Sequence, residues 1–144
     1  RDGRVAERQK EAALRIIRGE FGKIETVIAE EYVDSLSLGS GIVLWAAMEN
    51  SRLGADSLGE RGKRAESVGE EAARDIIEEI NSGACLDRYM ADQIVPYLAL
   101  AGGRATISQV TLHTTTHIDV VNAFGFNVKL EDRTLEATVG TLAG

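Results

Sequence analysis

Apolar residues recur at helical spacing in two clear places along this chain of 144 residues. Between residues 4 and 18, Val5, Ala6, Ala12, Ala13, Leu14, Ile16 and Ile17 stand among charges and strong helix formers. That spacing predicts a helix, ended by Gly19 and Gly22. Between 66 and 81, Val68, Ala72, Ala73, Ile76, Ile77 and Ile80 form one apolar stripe, with Glu66, Glu70, Glu71, Asp75, Glu78 and Glu79 on the wet side. Ser82-Gly83 closes this second helix. A third is predicted over about 86–95, up to Pro96, which removes a backbone donor and kinks or ends it. YLALAGG then runs on to a break at Gly102-Gly103, and 115–124 fits a further helix through Ile118, Val121 and Ala123.

Alternating or compact apolar runs predict the strands. Residues 23–33 favour one through Ile24, Thr26 and Ile28, and less cleanly Tyr32 and Val33. A turn-forming stretch at 35–41 leads into GIVLWAAME at 41–49, read as a well-buried strand with Trp45 in the core. The polar, glycine-bearing stretch 51–64 holds at most a short strand near Ser57–Leu58. RATISQVTLH, 104–113, alternates like a strand, and FNVKLE and TLEATV form a closing hairpin around Asp132-Arg133. This order of elements predicts an α+β fold, with helices packed on one face of a β-sheet. The 51–64 stretch is the expected boundary between two structural units.

Composition bounds the chemistry. The chain is 44% hydrophobic and 27% charged, as globular domains are. Its net charge of -7 is uneven: residues 1–64 carry 11 basic and 11 acidic side chains, and residues 65–144 carry 5 and 12. An acidic chain is a poor electrostatic match for nucleic acid, so RNA binding would need a local basic patch or another part of the molecule. Arg61, Lys63 and Arg64 form the one local basic run, read first as a solvated loop. Cys85 is the only cysteine, which excludes an intramolecular disulfide and a cysteine-based zinc cage and fits a buried reduced thiol in a cytosolic protein. No apolar run approaches membrane-spanning length, and the first residues are charged rather than a signal peptide. The opening at Arg1, directly into a helical pattern, reads as a chain cut from something longer. Nothing in the pattern specifies an oligomeric state.

Three segments carry a resemblance. SGACLDRYMADQIVPYLALAGG, 82–103, contains Tyr89-x-x-Asp92-Gln93, an apolar stretch with Pro96, then Ala-Leu-Ala-Gly. LHTTTHI, 112–118, places His113 21 residues after Asp92. The third is 39–73, from GSGIVLWAAMEN to GEEAA, and the opening RVAERQKEAA also fits. In this order and spacing the segments resemble the C-terminal part of an archaeal-type RNA 3'-terminal phosphate cyclase, over nearly the whole chain. The resemblance implies repeats of a small sheet with two helices, similar to the C-terminal domain of translation initiation factor three, interrupted by an inserted domain. On that analogy residues 1–60 are part of the inserted α/β domain, and 61–144 are the remainder of the third repeat.

The family reaction has three steps. A histidine attacks the α-phosphate of ATP, AMP passes to the RNA 3'-phosphate, and the neighbouring 2'-hydroxyl closes a 2',3'-cyclic end. Neutral imidazole suits the first step, being nucleophilic near pH 7 with an unperturbed pKa of about 6.5. The resemblance implies that His113 is the nucleophile, that Tyr89 stacks near the adenine, and that Asp92 holds the nucleotide or orients the histidine. Gln93 matches the motif too. A divalent ion, Mg2+ or Mn2+, is expected to neutralise the phosphates, held by residues of the missing N-terminal portion rather than by this chain. The expected partners are an RNA with a 3'-phosphate end and that missing portion, so this chain alone is expected to be inactive.

The same residues have plainer readings. His113 and His117, the only two histidines, lie four apart, a spacing that suits a metal pair, but only Thr114, Thr115 and Thr116 stand between them. His117, where the family often has Asn, is read as a hydrogen-bonding side chain. Gly102-Gly103 suits close phosphate approach but is more often only a turn. The runner-up function is a non-catalytic, cyclase-like protein assisting ribosomal RNA processing. That branch lacks the nucleophilic histidine, and His113 argues against it.

Overall fold

The computed structural model describes residues 4–139. They form two compact units, one of residues 4–46 and 54–81, the other of 47–53 and 82–139. The chain passes between the units at 46/47, 53/54 and 81/82.

The first unit is built on α1 (Val5–Phe21) and α2 (Ala65–Asn81). Ala12, Ala13 and Ile17 of α1 and Val68, Ala72, Ala73 and Ile76 of α2 are buried, so the small-residue faces meet. α1 runs through Gly19 and stops at Gly22, whose φ of 68 few other residues adopt. Charges lace the rim. Arg8 grips the Glu66 carboxylate with two hydrogen bonds of 2.8 and 2.9 Å. Lys63 pairs with Glu71, and Ser57 donates to the same carboxylate at 2.7 Å. Glu79, expected on the wet side, is buried.

β1 (Gly41–Ala47) and β2 (Arg52–Leu58) pair as a hairpin, with Met48 N–H donating to the Ser51 carbonyl. β1 is not buried throughout. Ile42 and Leu44 are buried, while Val43 and Trp45 face out, and Trp45 is 66% exposed. A seven-residue strand alternates its faces, so a continuous apolar run cannot all point inward. β2 is longer than expected and buries Leu53, Ala55 and Ser57 at every second position. Residues 23–33, expected to hold a strand, have no regular structure. They are tied to α1 instead: Lys10 pairs with Glu30 at 2.9 Å, and the Tyr32 hydroxyl donates to Glu7 at 2.8 Å.

The second unit follows the order short strand, helices, strand, helix, hairpin. Leu86 makes a parallel bridge to Ile107. Between them lie α3 (Met90–Gln93), α4 (Val95–Ala101) and β3 (Gly103–Thr106). Then come α5 (Leu112–Ala123), β4 (Val128–Glu131) and β5 (Thr134–Ala137). The sheet has the order β3-β5-β4, antiparallel throughout, with Ala105 and Leu130 both opposite Leu135. The hairpin turns at Asp132, with φ of 51, as expected. One face of the sheet offers Val128, Leu135 and Ala137 to Val95, Leu98 and Ala99 of α4 and Ile118 of α5, forming one core. The whole is α+β, with helices on one face of a small sheet.

Three local expectations in this unit change. The helix expected over 86–95 starts only at Met90, as α3, because Leu86 is bridged to Ile107 in extended conformation. Pro96 does not end it: proline sits in the first turn of α4, where its fixed φ suits the helix start. β3 is four residues long, not ten, and α5 starts at Leu112 rather than 115. The residue responsible is Thr111, whose extended backbone (φ -106, ψ 164) and side-chain oxygen cap the helix by accepting from Thr114 N–H at 3.2 Å.

Candidate functional site

His113 is the second residue of α5, in the exposed first turn. It does not follow a strand end, as its place in RATISQVTLH suggested. The first amides of a helix have no partner within it. Thr111 takes that of Thr114, while those of Leu112 and His113 follow directly after the cap, at the positive end of the helix dipole. Thr114 is fully buried and its hydroxyl meets that of Thr111 at 3.0 Å, so the turn carrying His113 is anchored on its inner side.

Tyr89, Asp92 and Gln93 lie at and within α3. Asp87, which sequence reasoning did not single out, starts that turn. Its Oδ1 accepts from Tyr89 N–H at 3.0 Å and Met90 N–H at 2.8 Å, and Asp87 is itself buried. An Asp followed by a short helical stretch is the signal that would have found it. Tyr89 is 45% exposed, Gln93 is exposed and Asp92 half-buried.

α3 and α5 pack together, and one hydrogen bond joins them: His117 Nδ1 lies 2.8 Å from the backbone carbonyl oxygen of Asp92. The histidine that Asp92 meets is thus His117, through the main chain, and not His113. His113 lies four residues before His117 and so shares its face of α5, one turn nearer the helix start. The structure therefore brings the tyrosine-aspartate turn to the helix that carries His113. The depression on the sheet lined by Arg104, Lys129, Glu131, Asp132, Thr134 and Glu136 contains none of these residues.

The remaining candidates take plainer roles. Gly102 and Gly103 both have positive φ, and a Cβ at Gly102 would come within 2.8 Å of the Val139 side chain. The pair turns the chain against its own C-terminal segment. In the basic run, Lys63 is held by Glu71, and Arg64 lies 3.6 Å from Glu66. Cys85 is half-buried, its Sγ 3.2 Å from the Thr106 carbonyl oxygen. Among the described residues no group of three or more His, Cys, Asp or Glu is placed to hold a metal ion. Among those residues, His113 and His117 form no such group with any carboxylate. No helix among the described residues is long and apolar enough to cross a membrane.

The second unit lays two helical segments over a small sheet, and the first is built on two packed helices and a hairpin. Residues 2–81 match the family model described as RNA 3'-terminal phosphate cyclase (RTC), insert domain, which extends past the expected end at residue 60. The chain belongs to the RNA 3'-terminal phosphate cyclase family. It is 50% identical over 126 residues to the RNA 3'-terminal phosphate cyclase of Ignicoccus hospitalis, covering 83% of this chain and 36% of that protein. It is 52% identical over 115 residues to that of Methanothermobacter thermautotrophicus, covering 79% and 34%. Against that of Pyrococcus furiosus it is 44% identical over 120 residues, covering 83% and 34%. The chain thus spans about a third of the length of these relatives.

Proposed function

We propose that the protein containing this chain converts an RNA 3'-phosphate into a 2',3'-cyclic phosphodiester, using ATP, with His113 as the residue that carries AMP. The observation that carries the reading is the position of His113: exposed, in the first turn of a capped helix, one turn before the His117 that bonds the Asp92 carbonyl. Exposure gives the imidazole access to a phosphorus atom. The first-turn amides and the helix dipole favour negative charge there, which suits a triphosphate. Tyr89 offers a half-exposed ring for a base to stack on.

The step at His113 balances simply. An imidazole nitrogen lone pair attacks the α-phosphorus, the bond to the bridging oxygen breaks, and pyrophosphate leaves. The RNA 3'-phosphate oxygen then attacks the same phosphorus and displaces the imidazole. Finally the 2'-hydroxyl attacks the activated 3'-phosphorus, loses its proton and releases AMP. Dividing the reaction lets one poor leaving group be replaced in stages.

The relatives share this reading's reaction name, but this chain covers only about a third of their length. The remainder of the protein completes the nucleotide site and supplies the ligands for the divalent ion, so the 144 residues alone are expected to be inactive. The test is end-group conversion by the full-length protein. An RNA with a 3'-phosphate should become resistant to phosphatase only when ATP is present, and the His113→Ala variant should fail to protect it. Protection by that variant at the wild-type rate would remove His113 from the reaction. ATP-independent protection would remove the nucleotide.

A further inference from the structure

The bond between His117 and Asp92 has a cause in the sequence. In a continuous α-helix the carbonyl of residue 92 would accept from the amide of residue 96. Residue 96 is proline and has no amide hydrogen. Other rungs of this stretch are present: Ala91 N–H donates to the Asp87 carbonyl, Ile94 N–H to Met90 and Leu98 N–H to Ile94, at 2.9 to 3.0 Å, and Ile94 N–H also turns toward the Asp92 carbonyl from two residues on. At the rung that Pro96 removes, His117 Nδ1 reaches across from α5 to the Asp92 carbonyl at 2.8 Å. A carbonyl oxygen only accepts, so Nδ1 carries the proton in this bond.

We infer that His117 is a positioning residue: its Nδ1–H replaces the donor that Pro96 lacks, and so fixes the Tyr89–Gln93 turn relative to His113. Three features make this bond matter more than an ordinary surface contact. α3 has only four residues, too few to hold itself in place. Both partners are half-buried, so water competes poorly for the carbonyl. His117 also sits one turn from His113 on the same helix, so the constraint acts next to the proposed nucleophile. The inference rests on the adenylation reading for its consequence, but not for the bond itself.

Two measurements on the full-length protein test it. Nitrogen-15 chemical shifts of the histidine ring report the tautomer without any reaction. His117 should be in the Nδ1–H form, and a ring protonated only at Nε2 would overturn the bond. Labelling by α-labelled ATP, followed over a range of ATP concentrations, tests the role. His117→Ala should raise the apparent KM for ATP by up to about tenfold, the scale of one such hydrogen bond, with a smaller change in the saturated rate. His117→Asn keeps an N–H donor and should recover most of the loss. In His117→Ala, a second change of Pro96→Ala returns an amide to the Asp92 carbonyl and should lower KM again. Equal loss in the Ala and Asn variants, or unchanged kinetics in a folded His117→Ala protein, would refute the positioning role. Absence of label in the wild type would sink the adenylation reading, and the role with it, while the tautomer would still report the bond.

Discussion

Gly69 of α2 lies directly against the backbone of Gln9 in α1: a Cβ at Gly69 would come within 2.0 Å of the Gln9 carbonyl oxygen. The contact explains why a glycine is kept inside an otherwise strong helix. In an exposed helix interior, Gly→Ala gains about 1 kcal/mol. Here the obstacle is main chain, which cannot rotate away. Gly69→Ala should therefore lose stability, by roughly 1–3 kcal/mol, the usual range for overpacking. Denaturant unfolding of the full-length protein measures it, and a gain would contradict the close approach of the two helices.

The Arg8 guanidinium beside Glu66 holds that carboxyl down to about 2, from an ordinary value of 4.5. A hydrogen-bonded Tyr32 lowers Glu7, and Lys63 and Ser57 lower Glu71. A carboxyl whose folded pKa is depressed adds stability that is complete above its unfolded value and disappears as pH falls through the folded one. The Arg8–Glu66 contribution should thus be constant above about pH 4.5 and vanish toward about pH 2. Arg8→Met should destabilise the protein at pH 6, and the difference from wild type should close as the pH approaches 2. A difference that does not change with pH would show that Arg8 acts through packing alone.

Thr111 sets where α5 begins, and therefore which turn carries His113. Removing its side-chain oxygen in Thr111→Ala should cost about 1 kcal/mol of stability. Serine keeps the oxygen and should cost little. Hydrogen exchange at the Thr114 amide reports the same bond locally, since that amide donates to Thr111 at 3.2 Å. Unchanged exchange in Thr111→Ala would contradict the cap.

Much of this arrangement was legible in the residues. The stripe from Val68 to Ile76 and the turn at Asp132 read directly, because each depends on local spacing. The strand at 52–58 was seen only at its end, since Arg52, Gly54 and Asp56 hide an alternation carried by Leu53, Ala55 and Ser57. The strand expected at 23–33 failed for the opposite reason: its residues suit a sheet, but a strand also needs a partner edge, which no local pattern specifies. Trp45 was expected inside because its neighbours are apolar, and the pleat turned it out. At the candidate site the resemblance brought out His113, Tyr89, Asp92 and Gln93. It did not bring out Asp87, or the compensation between Pro96 and His117, because both are fixed by hydrogen bonds between particular backbone atoms.

Mapping the nucleotide adduct tests the central claim most directly. Full-length protein should be incubated with ATP and a divalent ion in the absence of RNA, then digested and read by mass spectrometry at neutral pH. AMP should be found on the peptide containing Leu112-His113-Thr114, joined to the His113 ring, lost in acid as a phosphorus–nitrogen bond is, and missing from His113→Ala. An adduct on another residue, or one that persists in His113→Ala, would contradict the account.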